Sequence, residues 1–209
     1  MPRSLWLLFT SVVRRAPLAA GLAAALAAGS IMAQPRLETA VFAGGCFWTM
    51  EHNFEAIPGV VRAVSGYAGG REPHPTYEEV SSERTGHLES VEVTYDPARI
   101  SYPQLLDRYW RMIDPTDDGG QACDRGPSYH AAIFVSTPEQ RQDVARSEAA
   151  LLAGPLRGSR IATFVRPATP FWPAEAYHQH FADRNPVRYA AYRIGCGRDN
   201  ILRVVWGGR

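Results

Sequence analysis

The sequence predicts one mixed α/β (α+β) domain over residues 34–209, built as a two-layer sandwich of a mixed sheet and helices. Three observations predict it: β-prone segments alternate with segments of helical spacing, the connections vary in length, and no repeat or linker follows Gln34. A chain of 209 residues, 45% of them hydrophobic, can bury a core without help from disulfides or metals. Its cysteines are therefore free for chemistry.

The first elements are a strand, a tight turn and a helix. Residues 37–43 form a β-prone run that ends at Gly44-Gly45, and residues 47–56 have helical spacing up to Pro58-Gly59. We predict further strands over residues 60–67, 91–95, 131–135 and 161–165. We predict further helices over residues 101–113, from residue 138 onward and around residues 174–181, with a short helical turn at residues 76–80.

Capping residues mark the starts of two of these helices. Ser101 precedes the first, and Thr137 precedes the second, where Gln140 is placed to complete a capping box. Aromatic residues within the predicted strands and helices are expected in the core: Tyr109, Trp110, Phe134 and Phe164.

The first 33 residues differ in composition from the rest. They contain three arginines, no acidic residue and an uncharged apolar run that ends at Ala33, before Gln34. This pattern is typical of a cleaved export signal, with an uncleaved membrane anchor as the alternative. We therefore expect a periplasmic or otherwise exported domain, in an oxidising compartment, or a membrane-anchored one.

The charged residues exclude several classes of function. All 22 basic residues are arginines, so lysine-dependent phosphate loops, Schiff bases and general bases are ruled out. The net charge of +1 lacks the basic excess with which proteins bind phosphate backbones. Nucleic acid is therefore not an expected partner.

Cys46 is the residue from which we expect chemistry. It follows two glycines at the point where a strand leads into a helix, so its sulfur would lie beside unpaired backbone N–H groups that favour the thiolate. The alternative reading is a small buried cysteine that packs behind a glycine turn. Cys123 and Cys196 are far from Cys46 and from each other in sequence, which excludes a local thioredoxin-type or zinc-type pair.

The motif around this cysteine resembles a known signature. Gly44-Gly45-Cys46-Phe47-Trp48, followed by Glu51, is similar to the active site of the A-type peptide-methionine sulfoxide reductases. Further matching blocks follow in the same order as in that family: residues 66–70, 75–80, 85–89, 96–97, 114–116, 124–129 and 173–179. The resemblance covers residues 41–180, and the segment from about residue 186 matches least well.

The resemblance implies an enzyme that reduces the S epimer of methionine sulfoxide, free or within oxidised proteins. Cys46 would attack the sulfoxide sulfur. Glu89 would protonate the sulfoxide oxygen, and the hydroxyl groups of Tyr77 and Tyr129 would donate hydrogen bonds to it. Burial would keep the Glu89 carboxyl protonated near neutral pH.

The resemblance also implies how the substrate is held. Phe47 and Trp48 would form an apolar cup for the methionine methyl group, and Asp124 would organise the polar side of the site. We expect no metal and no cofactor, and we expect the reductase to be a monomer.

A second cysteine is implied for recycling. Cys46 would be left as a sulfenic acid, which a resolving thiol converts to a disulfide that a thioredoxin-like dithiol then reduces. Cys196, in a glycine-flexible C-terminal stretch, is the favoured resolving residue. Cys123 is the alternative because it lies next to Asp124, and a relay that uses both cysteines is the third option.

Two other functions remain compatible with the residues. A Cys-His hydrolase would pair Cys46 with His87 or His178. A redox-sensing or methionine-binding module would contain Cys46 without turnover. We interpret His87 as a loop residue that supports Glu89, and we expect no zinc site at His178 and His180, because alternate residues point to different helix faces.

Overall fold

The computed structural model describes residues 36–207. Its strands are β1 (Glu38–Ala43), β2 (Val60–Ala68), β3 (Leu88–Tyr95), β4 (Gly120–Gln121), β5 (Asp124–Arg125), β6 (Ala132–Val135), β7 (Phe164–Pro167) and β8 (Trp172–Pro173). Its helices are α1 (Phe47–Glu55), α2 (Tyr77–Ser81), α3 (Tyr102–Trp110), α4 (Pro138–Ala153), α5 (Phe181–Arg184), α6 (Pro186–Cys196) and α7 (Arg198–Trp206), with a 3-10 turn at Pro127–Tyr129.

The helices and strands given above do not include the N-terminal segment. The expected signal or anchor over residues 1–33 lies outside the described residues. Within residues 36–207, no helix combines the length and the apolar character that a bilayer-spanning segment requires.

The strands form one mixed sheet of six strands, in the order β7-β6-β1-β3-β2-β8. Strands β6 and β7 run parallel, and every other neighbouring pair in this sheet is antiparallel. Strands β4 and β5 form a separate two-stranded ribbon. The predicted α/β class with a mixed sheet is confirmed.

The main core lies between one face of the sheet and helices α1 and α3. Phe42 of β1 stacks on Phe54 of α1 at 5.2 Å and on Tyr109 of α3 at 4.9 Å between ring centroids. Val91 of β3 is buried in the same core. Because strand side chains alternate between faces, Glu89, two residues before Val91, lies on the α1 side of the sheet.

Helix starts follow the capping residues only in part. Ser101 and Gln104 form a reciprocal capping box at α3. At α4, Thr137 accepts the backbone N–H of Gln140, as expected, but the Gln140 side chain accepts from the N–H of Ser136 instead of Thr137. The expected box at α4 is therefore incomplete.

Phe164 is not a core residue, contrary to the sequence prediction. It begins β7, the strand at one edge of the sheet, and its side chain is 40% exposed. The Arg166 guanidinium lies over its ring at 4.7 Å, and His130 flanks it. The other three predicted core aromatics are buried: Tyr109, Trp110 and Phe134.

The predicted helix around residues 174–181 is wrong. Within residues 174–185 only residues 181–184 are helical, and the residues before them are held by hydrogen bonds of the Gln179 side chain and by a bond to Glu51. The Gln179 amide accepts from the N–H of Ser65 at 3.1 Å and donates to its carbonyl at 2.9 Å and to that of Ala174 at 2.9 Å. Glu51 accepts the N–H of His180 at 2.9 Å. Sequence periodicity carries no signal for such contacts.

The C-terminal stretch is helical, where the sequence analysis expected a glycine-flexible segment. Cys196 ends α6, and Gly197, with a φ of 69°, leads directly into α7. Arg198 is 2% exposed and donates to the carbonyls of Gly44 at 2.7 Å and Met112 at 2.8 Å. The buried Arg198 guanidinium therefore links α7 by hydrogen bonds to the turn that precedes Cys46.

Candidate active site

Cys46 occupies the N-cap position of α1, directly after the turn that ends β1. Gly45 has a φ of +75°, and a Cβ there would lie 2.6 Å from the Gln121 side chain, so the turn requires glycine on both counts. Cys46 is 7% exposed. Cys123 and Cys196 form a disulfide, which leaves Cys46 as the free thiol.

Antiparallel pairing of β1 and β3 brings Glu89 to the start of α1. Ala43 at the end of β1 pairs with Ser90, so Glu89 lies beside the turn, where it accepts the Phe47 N–H at 2.9 Å. Its side chain is buried. Burial raises the pKa of Glu89 to about 8, with a smaller contribution from the charge of Asp124, although the Phe47 N–H opposes the shift. The carboxyl is therefore protonated at neutral pH and can act as an acid.

The electrostatics at Cys46 differ from the sequence expectation of a stabilised thiolate. Burial raises the pKa of the thiol, and the negative charges that Glu89 and Asp124 carry when ionised raise it further. Hydrogen bonds from the Tyr192 hydroxyl and the Trp48 N–H lower it, but by less. A helix N-terminus contributes only about 0.3 to 2 kcal/mol, which desolvation of a buried anion outweighs. The resting nucleophile is a neutral thiol.

Tyr77 and Tyr129 face the same region. Burial raises the pKa of each phenol, and the charge of Glu89 is the next largest cause in both. The N–H of Tyr77 donates to Glu175 at 2.8 Å, which fixes the first residue of α2. Both hydroxyl groups therefore remain protonated donors beside Glu89.

Asp124 connects Cys46 to the C-terminal helices. It accepts the backbone N–H of Cys46 and, at 2.6 Å, the hydroxyl of Tyr192. Burial raises its pKa, against the hydrogen bond from Tyr192 and the charge of Arg198. The Cys196 sulfur lies 3.8 Å from the same carboxylate. The Cys123 sulfur lies 3.9 Å from the other oxygen of this carboxylate, so all three cysteines contact Asp124.

Aromatic rings surround the first turn of α1. Trp48 stacks on Phe181 with 3.6 Å between centroids and donates its indole N–H to His178 at 3.0 Å. Phe47 is fully buried, with its ring 4.9 Å from His178, and Tyr77 lies 4.6 Å from the same imidazole. His178 therefore orders the aromatic side of the site.

Neither candidate histidine for a hydrolase is arranged as a base for the thiol. His178 accepts from Trp48, and burial lowers its pKa. His87 accepts the Gly70 N–H at 3.2 Å and contacts the carbonyl of Glu72 at 2.8 Å, so it fixes the loop after β2. Among the hydrogen bonds of residues 36–207, none joins either imidazole to Cys46.

Two groups of metal-ligand residue types occur in the described part of the chain, and Cys46 belongs to neither. In the first, Asp124 accompanies Cys123 and Cys196, whose sulfurs are joined in the disulfide. In the second, His180 pairs with Glu55 at 2.8 Å, and its N–H donates to Glu51. Protein groups thus already pair most of these ligand atoms.

Tyr192 of α6 and Arg198 of α7 contact the site through Asp124 and Gly44, and neither residue was predicted from the sequence. The family resemblance was weakest in this segment. Pro186 and Gly197, which begin α6 and follow its last residue, are the usual marks of a helix. With that helix recognised, the i, i+4 spacing would have placed Tyr192 and Cys196 on one face.

Comparisons with known proteins agree with this geometry. A family model described as "Peptide methionine sulfoxide reductase" matches residues 38–209, which includes the C-terminal helices. The peptide methionine sulfoxide reductase MsrA 2 of Caulobacter vibrioides is 54% identical over 192 residues, 91% of this chain and 96% of that protein. The MsrA of Bacillus licheniformis is 48% identical, over 84% of this chain and 97% of that protein.

Two solved structures are similar to the fold. Methionine sulfoxide reductase A of Corynebacterium diphtheriae gives a TM-score of 0.65 at 35% identity, covering 74% of this chain and 78% of that one. Mxr1 of Saccharomyces cerevisiae in reduced form gives a TM-score of 0.68 at 30% identity, covering 72% of this chain and 87% of that one.

Proposed function

The chain belongs to the peptide methionine sulfoxide reductase family, and we propose that it reduces the S epimer of methionine sulfoxide with Cys46 as nucleophile. One observation supports this proposal more strongly than the others. A free thiol and a carboxyl with a pKa near 8 meet at the first turn of α1, beside aromatic rings. A nucleophile for sulfur and an acid for oxygen are the two groups that sulfoxide reduction needs.

The chemistry balances with these groups alone. The Cys46 sulfur bonds to the sulfoxide sulfur, and Glu89 gives its proton to the sulfoxide oxygen while Tyr77 and Tyr129 donate hydrogen bonds to it. The substrate S–O bond breaks as the protonated oxygen bonds to the Cys46 sulfur, and the sulfur–sulfur bond breaks with its electron pair left on the substrate sulfur, so that Cys46 becomes a sulfenic acid and methionine leaves. The thiol proton restores that of Glu89, so no net proton is consumed. Phe47 and Trp48 hold the methyl group, and Asp124 holds the start of the helix.

Recycling proceeds through both remaining cysteines in this proposal. Cys196 attacks the sulfenic acid, which releases water and forms a disulfide with Cys46. Cys123 then attacks Cys196, which frees the Cys46 thiol and leaves the disulfide between residues 123 and 196. Two observations support this order: Cys196 is buried beside Asp124, and Cys123 is exposed. A thioredoxin-like dithiol would then attack the exposed sulfur of Cys123 and reduce the disulfide between Cys123 and Cys196.

Removing Cys123 tests this order. After one turnover of fully reduced protein, we expect Cys123→Ser to accumulate a disulfide between Cys46 and Cys196, because the last exchange is blocked. Cys196→Ser should instead retain the sulfenic acid at Cys46. Peptide mapping after an acid quench measures both. A Cys46–Cys123 disulfide that forms in Cys196→Ser at the wild-type rate would contradict the order.

Turnover with separated epimers tests the function itself. With dithiothreitol as reductant, we expect the purified domain to convert the S epimer of methionine sulfoxide to methionine and to leave the R epimer unreacted. Chromatography of the amino acid products measures both. Turnover of the R epimer at a comparable rate would contradict the proposed specificity, and an acyl-enzyme burst with ester substrates would favour the hydrolase.

We also propose that residues 1–33 direct export and that the mature domain, residues 34–209, is a periplasmic or otherwise exported monomer that repairs oxidised proteins. The composition of the N-terminal segment supports export. Cell fractionation with N-terminal sequencing tests it, and an intact N-terminus on protein confined to the cytoplasm would contradict it. Size-exclusion chromatography with light scattering tests the monomer.

A further inference from the structure

Glu51, Glu55 and His180 form a group beside α1 that the proposed reaction does not use. Glu51 and Glu55 are four residues apart on α1, so their carboxylates lie on one face of the helix. The Nδ1 of His180 is 2.8 Å from Glu55 Oε1, and the His180 N–H donates to Glu51 Oε2 at 2.9 Å. One carboxylate oxygen of each glutamate and one imidazole nitrogen lie within 4.8 Å of one another.

One carboxylate oxygen of this group lacks a partner. Glu51 is 1% exposed, and its Oε1 is buried without a hydrogen-bond partner among the described residues. Ser65, the neighbouring hydroxyl that could donate to it, hydrogen-bonds with the Phe47 carbonyl at 3.5 Å instead. An unpaired buried carboxylate oxygen is unfavourable, and buried charges in proteins are paired or bind metal ions. The geometry therefore leaves a position for a cation at Glu51.

We propose that Glu51, Glu55 and His180 bind one divalent cation of the manganese or zinc type. Metal–ligand distances of about 2.1 Å place neighbouring ligand atoms about 3.0 to 3.5 Å apart, so the three atoms need to approach by at most about 2 Å. His180 would bind through the Nδ1 lone pair, in the tautomer that carries its proton on Nε2. Two carboxylates balance the charge of the cation, and water can complete its coordination.

The cation would join α1 to the segment that completes the aromatic side of the active site. No metal was expected from the sequence, in which Glu51 and His180 lie 129 residues apart. Phe181 follows His180 and stacks on Trp48 of α1 with 3.6 Å between centroids. The site would therefore stabilise the tertiary fold and the position of this ring. Cys46 is not one of the ligands, so binding does not depend on the proposed reaction.

An ion pair without a cation is the structural alternative. Glu55 and His180 already form a close pair, and Glu51 already accepts one N–H, so these contacts alone could hold the segment. In that case the three residues contribute to stability, but an added divalent cation neither binds to them nor stabilises the fold.

Manganese binding separates these alternatives. Mn²⁺ is the probe because it prefers oxygen and nitrogen ligands to sulfur, and the disulfide between Cys123 and Cys196 is kept intact. Free Mn²⁺ would be measured by electron paramagnetic resonance during titration of wild type, Glu55→Gln, His180→Asn and Glu139→Gln. Asparagine tolerates the φ of 50° at residue 180. Glu139 is exposed on α4, outside the group, and serves as the matched control.

We expect one Mn²⁺ per wild-type chain and an affinity at least about tenfold to a hundredfold lower in Glu55→Gln and His180→Asn, since loss of a residue that only supports a ligand has an effect of this size. Glu139→Gln should bind as wild type does. Added Mn²⁺ should raise the melting temperature of wild type and Glu139→Gln, and should leave that of the other two variants unchanged.

Equal affinity in all four proteins would overturn the proposal. So would the absence of binding to wild type at about 1 mM Mn²⁺, the weak end of the range for protein cation sites. Because no sulfoxide takes part, either result leaves the proposed reductase function untouched. Absent sulfoxide turnover in the wild type would contradict that function and not the cation site.

Discussion

Cys46→Ser is expected to lower sulfoxide turnover by about a thousandfold or more, because the serine hydroxyl cannot take up the sulfoxide oxygen as a stable sulfenic acid does. The substitution should leave the fold intact. Cys46 is the N-cap residue of α1, and serine is a favoured N-cap residue. Loss of activity would therefore report on chemistry and not on unfolding.

The measurement is steady-state turnover of the S epimer with dithiothreitol, together with the melting temperature. Cys123→Ser is the matched control, because its exposed sulfur enters only the recycling steps, for which a small dithiol can substitute. Normal turnover by Cys46→Ser would refute the mechanism. A melting temperature well below that of wild type would show that the N-cap argument is wrong.

Glu89→Gln is expected to lower kcat by about a hundredfold to ten-thousandfold, the range that a general acid contributes. The amide oxygen can still accept the Phe47 N–H, so the start of α1 keeps its hydrogen bond. The amide has no acidic proton to give to the sulfoxide oxygen. KM should change less than kcat, because the lost interaction develops only in the transition state.

The pH profile gives a second readout of the same carboxyl. Because the pKa of Glu89 is raised to about 8, the active, protonated form predominates at neutral pH. We therefore expect wild-type kcat to fall as pH rises through about 8 and the Glu89→Gln profile to lack this step. A wild-type kcat that stays constant to about pH 9 would exclude Glu89 as the acid.

The raised pKa of Glu89 also makes the free energy of unfolding depend on pH. The folded-state pKa of Glu89 lies above its ordinary value of 4.5, so folding takes up a proton between these two pH values. The stability from this group is complete below about pH 4.5 and is lost as pH rises through about 8. Urea unfolding of Glu89→Gln should show a weaker decline over that window.

The sequence was sufficient for those parts of the molecule that local patterns determine. The strand, glycine turn and helix around Cys46 follow from β-prone residues, a turn that requires glycine and helical spacing. Glu89 could be recognised as an acid only through the family resemblance. Its position follows from the pairing of Ala43 with Ser90, which involves a strand nearly fifty residues away.

Contacts between distant residues account for what the sequence could not supply. The segment before α5 is held by Gln179 and Glu51 through backbone groups, so its helical spacing was misleading. The thiol pKa depends on burial and on carboxyl groups from two other strands, which a helix-terminus argument omits. Tyr192 was missed because the helix that carries it was not predicted.

Trapping the oxidised nucleophile tests the central claim most directly. A variant with Cys123→Ser and Cys196→Ser would be mixed with one equivalent of the S epimer in the presence of dimedone, which captures sulfenic acids. We predict one dimedone adduct at Cys46 for each methionine released, read by mass spectrometry and chromatography. Methionine released while Cys46 stays unmodified would contradict the account.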